Sequence, residues 1–123
     1  MPPAFAGFQL PAPVAAAIDA INAGDGPALL ALFAEGALVN DQLREHWGRA
    51  AIAEWIASDV VGQRLAMRIA RVRNNHCHAV VEATVDGNFE RRGLPDPLVV
   101  SFYFSAHTEK IDQLLILRNE PSE

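Results

Sequence analysis

From residue 77 to residue 85 every second side chain is apolar: Cys77, Ala79, Val81, Ala83 and Val85. Between them stand His78, Val80, Glu82 and Thr84, with His76 just before. A period of two belongs to a strand that lays one face on a core. Much of the chain around it has the same character. Residues 65–73 alternate in part, and residues 98–106 and 111–118 are rich in β-branched, aliphatic and aromatic side chains. Asp86-Gly87 signals a turn, Gly93-Leu-Pro-Asp-Pro97 a stiffened connection, and His107-Thr-Glu-Lys110 a polar link. These spacings suit antiparallel neighbours.

Before Gly62 the period changes. Val14, Ala17, Ile18 and Ile21 share one helical face, and Pro13 suits a first turn, so residues 14–23 read as a helix. Residues 24–27 break it. Asp25 or Gly26 can cap a second helix that Pro27 opens. That helix is expected to run to about Phe33, to be buried because it is apolar nearly all round, and to end on Gly36 as its cap residue. A short strand at 38–41 follows. Trp47-Gly48 precedes a third helix over about 49–60, with Ile52, Trp55 and Ile56 on one face. Residues 1–12 form an irregular arm whose Phe5, Phe8 and Leu10 are expected to pack onto the body. Helices followed by a run of antiparallel strands make an α+β fold. At 123 residues, half of them apolar, one domain over 1–123 is the simplest count.

Charge and cysteine use exclude several function classes. The net charge is −5, which gives a nucleic-acid partner no electrostatic footprint. Arg68, Arg71, Arg73 and the pair Arg91-Arg92 read as solvated or subunit-facing surface. Cys77 is the only cysteine, so no internal disulfide forms, which fits a cytoplasmic protein. The N-terminus lacks the basic region of a signal peptide, and no stretch approaches the ~18–20 apolar residues of a membrane span. His76-Cys77-His78 could suggest a metal, but neighbours on a strand point to opposite faces and cannot converge on one ion. No Gly-rich phosphate loop or ligand spacing calls for a nucleotide, flavin, haem or metal cofactor. Asp86 and Asp96 read either as a carboxylate pair or as turn and edge chemistry.

Asn22-Ala-Gly-Asp25, Ala31-Leu-Phe-Ala34, Val39-Asn-Asp41 and Gly48-Arg-Ala-Ala-Ile52, with the closing run Leu114-Leu-Ile-Leu-Arg118, carry a family likeness. Over about residues 13–119 the chain resembles the nuclear-transport-factor-2-like superfamily, and within it the ketosteroid isomerases and SnoaL-like proteins. The resemblance implies a cone-shaped, curved antiparallel sheet wrapped around three N-terminal helices, with an internal pocket. It also implies a homodimer through the outer face of the sheet. It puts Asp41 where the isomerases carry the general base that moves a proton between carbons beside a carbonyl. In that family a tyrosine and a protonated acid hold the enolate oxygen. Their positions align here with Ala17 and Val100, neither of which can donate. Steroid isomerase chemistry by that mechanism is therefore not expected.

Other groups complete the expected site. Arg118 either shares an inner face with Leu114 and Ile116, as a partner for Asp41 or a ligand oxygen, or has passed the rim into solvent. His46 is either an acid–base group or an ordinary surface histidine. Trp47 at the pocket mouth, Trp55 on the third helix, Phe102 and Phe104 on one strand face, with Ala17, Phe33, Met67, Val81, Val100 and Ile116, form the expected lining. The plain alternative is that the aromatics fill the cone as core. Tyr103, on the opposite strand face, is assigned to the outer surface. Two function classes follow: a cofactor-independent isomerase or lyase acting on a small cyclic or carbonyl compound with Asp41 as base, or a non-catalytic module that binds an apolar small molecule or serves dimerisation.

Overall fold

The computed structural model describes residues 10–75, 78–88, 98–107 and 109–118. The arm up to residue 9, His76, Cys77 and the connection 89–97 with Asp96 lie outside the described residues.

Helix α1 (Ala12–Ala23) carries proline in its first turn and ends at Gly24, whose φ of 68° allows its N–H to reach back to the carbonyls of Ala20 and Ile21. Asp25 caps the next helix, α2 (Gly26–Ala31), its Oδ1 accepting from the Ala28 N–H at 3.1 Å. The expected course beyond this point needs correction. α2 stops at Ala31, because Leu32 already accepts the Ile111 N–H at 2.8 Å and Phe33 pairs with Ile111. Sheet pairing captures residues whose local pattern is still helical. Only Leu29 of α2 is buried, so the helix lies on the surface by one face. Gly36 is not its cap; it lies within strand β1 (Phe33–Asp41), where the register shifts between Phe33 and Leu38.

Strand β1 folds back on β2 (Arg44–Trp47) through Gln42 and Leu43, at φ 54° and 72°. Two positive-φ residues make the tight hairpin turn whose twist matches its strands. Helix α3 (Gly48–Trp55) continues as a π-helical turn over Ile56–Val61 rather than as α-helix to residue 60. The remaining strands are β3 (Ala66–Asn75), β4 (His78–Asp86), β5 (Val99–His107) and β6 (Lys110–Arg118).

The six strands lie in the order β2-β1-β6-β5-β4-β3. All neighbours are antiparallel except β1 and β6, which are parallel. The α+β class holds, and the curved sheet is mixed rather than purely antiparallel and does not close. A bulge between Ile69 and Arg71 accounts for the incomplete alternation of residues 65–73.

One core joins the helices to the concave face. Val14, Ile18 and Ile21 of α1 pack with Phe33, Val39, Ile52, Trp55, Val81, Phe104, Ile111 and Leu114. Asn22 fastens α1 to the edge strand β3: its Nδ2 donates to the Met67 carbonyl at 3.0 Å and its Oδ1 accepts the Met67 N–H at 2.8 Å. Leu10 is partly buried against the core. No helix among the described residues is long and apolar enough to cross a membrane.

Candidate functional site

Cross-strand register assembles the site. Asp41, the last residue of β1, stands opposite Arg44 on β2 and Ile116 on β6. Residues directly opposite share a sheet face. Val39 and Ile116 are buried inward, so Asp41 and Arg44 also face the concave side. Trp55 ends α3 against that face, and its Nε1–H donates to Asp41 Oδ2 at 3.0 Å. The Asp41 side chain is 17% exposed. It borders a cavity of about 410 Å³ whose apolar side is Trp55, Leu65, Val85, Leu98, Val100, Phe102 and Ile116. Its polar side is Asp41, Gln42, Arg44, Asp59, Gln63 and Arg118.

Helical winding brings Asp59 in. A four-residue spacing drifts around an α-helix, and the change to i→i+5 winding after Trp55 offsets that drift. Asp59 then shares the cavity with Trp55, and Gln63 follows. Arg44 Nη2 bonds Asp59 Oδ2 at 2.6 Å and lies 3.7 Å from Asp41 Oδ2. The Asp59 hydrogen bond and charge, with a smaller contribution from Asp41, raise the Arg44 pKa above its ordinary value, so its charge is fixed at any working pH. The pair lies at a wet mouth, with Arg44 62% exposed, and its worth is geometric more than energetic.

Six of the expected site residues meet at this cavity: Asp41, Arg118, Trp55, Val100, Phe102 and Ile116. Arg118 stands opposite Val100, is exposed to solvent and borders the cavity mouth. Its backbone N–H donates to Gln42 Oε1 at 3.2 Å. The others fall elsewhere. Ala17, Phe33, Met67, Val81 and Phe104 are buried in the core and do not border this cavity. Trp47 is not at the mouth: it stands opposite Leu38, on the outer face, and is 62% exposed. His46 is opposite Val39 and faces inward, its ring centroid 6.3 Å from that of Trp55, but it does not border the cavity. Its Nε2 is buried with no partner among the described residues.

Sequence reasoning missed Gln42, Arg44, Asp59 and Gln63. The one usable signal was Arg44 three residues after Asp41, and it has meaning only if a two-residue hairpin is recognised between them. Among the described residues no group of three or more His, Cys, Asp or Glu side chains could hold a metal ion.

The sequence profile of the SnoaL-like domain matches residues 14–113. The chain belongs to the SnoaL-like family. None of the curated proteins matches this SnoaL-like chain. Among solved structures, it is similar to a proposed polyketide cyclase from Sinorhizobium meliloti, at 27% identity over 89% of this chain and 100% of that one, with a TM-score of 0.79. A proposed polyketide cyclase from Xanthomonas campestris matches at 26% identity over 87% of each chain, with a TM-score of 0.73. A proposed ketosteroid isomerase from Kribbella flavida shares 16% identity over 91% of this chain and 78% of that one, at a TM-score of 0.73, a likeness of fold alone. The fold of the SnoaL-like chain is that of the nuclear-transport-factor-2-like superfamily.

Proposed function

We propose that this SnoaL-like protein is a cofactor-independent proton-transfer enzyme of the isomerase, cyclase or lyase kind, acting on a small cyclic or carbonyl compound with Asp41 as general base. The observation that carries this reading is the setting of Asp41. Its carboxylate is mostly enclosed, is oriented by Trp55, and opens onto an apolar cavity. Oδ2 is the oxygen held; Oδ1 has no partner among the described residues and is available to take a proton. In the reaction a C–H bond beside a carbonyl breaks, its electron pair moves to the carbonyl oxygen, and the proton goes to Oδ1. Return of that proton to a different carbon isomerises the substrate. Attack of the enolate carbon on a second carbonyl, with the proton passed to the new alkoxide, closes a ring. The apolar wall limits the water that reaches the enolate on that side. Cyclase relatives above 25% identity support the same class.

Hydrogen–deuterium exchange tests it. A panel of cyclic ketones and 1,3-diketones in D₂O, followed by proton NMR, is expected to lose α-protons faster with the wild type. Asp41→Asn is expected to reduce that acceleration by about 100-fold or more. Equal rates for the two proteins would remove Asp41 from the chemistry. A binding module instead draws on the Arg44 contact to Asp41 at 3.7 Å, and would show ligand binding with no exchange from either protein.

A homodimer through the outer sheet face is also proposed. Trp47 and Tyr103 are exposed on that face, with Leu38 and Leu115 beside them in the pairing. Sedimentation at micromolar concentration is expected to report a dimer, and Trp47→Glu a weaker one; a wild-type monomer contradicts it. A cytoplasmic location rests on the single cysteine.

A further inference from the structure

A base alone does not make an enolate. Once Asp41 removes a proton, negative charge develops on the carbonyl oxygen, and donors must already point at it. Ala17 is buried and Val100 is apolar, so the two aligned positions offer none. Trp55 Nε1 is committed to Asp41. The donor must therefore come from the polar side of the cavity.

We propose that Arg44 is the group that binds the enolate oxygen in this cavity, with Asp59 as the residue that positions it. This inference rests on the proton-transfer reading. Arg44 is the cross-strand partner of Asp41, and its Nη2 lies 3.7 Å from Asp41 Oδ2. A carbonyl one bond away from the C–H that Asp41 attacks falls within reach of the same guanidinium. Both contacts of Arg44 to Asp41 and Asp59 use Nη2. Nε and Nη1 have no partner among the described residues and keep three N–H donors in one plane. Arg118 also lines the mouth, but it stands opposite Val100, two residues along β6 from Ile116, the partner of Asp41.

Asp59 supplies what an exposed arginine lacks. Without its 2.6 Å bond the Arg44 side chain would sample solvent. With it, the guanidinium is held between the hairpin and the π-helical turn, and its free edge is available to a ligand. A planar, forked cation also sets a preference. It binds an anion in preference to a neutral carbonyl, which favours the enolate of a 1,3-dicarbonyl compound over a simple ketone. The balance is closed: the electron pair of the broken C–H bond rests on the oxygens at Arg44, the proton rests on Asp41, and both return when carbon is reprotonated.

Ligand binding separates this from the role of Asp41. Asp41→Asn places a neutral amide where the protonated base would be. In that protein, calorimetric titration compares cyclohexane-1,3-dione, as its enolate anion, with neutral cyclohexanone. The enolate is expected to bind about 10- to 100-fold tighter, the lower figure reflecting the 62% exposure of Arg44. Adding Arg44→Gln is expected to erase the preference, weakening the enolate far more than cyclohexanone, with an unchanged far-UV circular dichroism spectrum reporting an intact fold. Asp59→Ala is expected to cut the preference about tenfold, and Asp59→Asn, which keeps an acceptor for the guanidinium, to restore part of it. An enolate that binds no better than the ketone overturns the proposal, as does a preference that survives Arg44→Gln. An Arg44-dependent preference without an exchange defect in Asp41→Asn supports the oxygen site and sinks the base instead.

Discussion

Replacing Trp55 with alanine removes two things at once: the largest buried side chain of the core and the hydrogen bond that orients Asp41. Trp55 is 2% exposed and packs among Ile52, Ile56, Val60 and the sheet. Truncation of a buried tryptophan costs about 3–5 kcal/mol. A hydrogen bond to a charged acceptor contributes about 1.5–3 kcal/mol of that. Its share lies at the low end, because Asp41 is 17% exposed and the cavity can offer water in place of the indole. Against a total stability of about 5–15 kcal/mol for a domain of this size, the loss is severe without unfolding the chain outright. In urea, with a slope of about 2 kcal/mol/M, the midpoint is expected to fall by roughly 2 M at constant slope. Trp55→Phe keeps most of the ring and loses the N–H, and is expected to cost about 1–2.5 kcal/mol. Far-UV circular dichroism reads both, independently of the exposed Trp47. A loss below about 1 kcal/mol for alanine would refute the packing of α3 against the sheet.

Two further substitutions probe the frame of the site. Asn22→Ala removes both bonds to the Met67 backbone and is expected to cost about 1–3 kcal/mol in chemical denaturation; a change under about 0.5 kcal/mol would show that water replaces the amide at no loss. Leu43→Gly relieves a φ of 72° at a residue 80% exposed, and is expected to stabilise the protein by about 0.5–1 kcal/mol; a lower stability would mean that the turn stores no strain.

Strong periods were legible and tertiary choices were not. The alternation of residues 79–85 and the helical face of Val14, Ala17, Ile18 and Ile21 correspond to β4 and α1. Both signals run long enough for burial alone to decide them. Residues 32–36 read as a helix end because nothing local announces Ile111, far along the chain, as a pairing partner. Strand β2 is four residues of mixed polarity behind a turn with no Gly or Asn, so neither element left a signal. The same limit governs the site. Asp41 was legible from its motif, and Arg118 from its even spacing with Ile116. Arg44 and Asp59 meet only through a hairpin register and a change of helical winding. Phe102 and Phe104 share a face, yet only Phe102 borders the cavity. Alternation fixes the face of a residue, whereas depth along the cone is set by how the helices seat on the curved sheet.

The measurement closest to the central claim is the indole N–H spectrum during titration with cyclic 1,3-diketones. Trp55 Nε1–H is bonded to Asp41 inside the cavity wall, and Trp47 stands on the outer face. A working pocket at Asp41 is expected to shift the Trp55 indole signal saturably and leave that of Trp47 in place. Saturable movement of Trp47 alone, or of neither signal at millimolar ligand, would contradict a pocket whose working end is the Asp41–Trp55 pair.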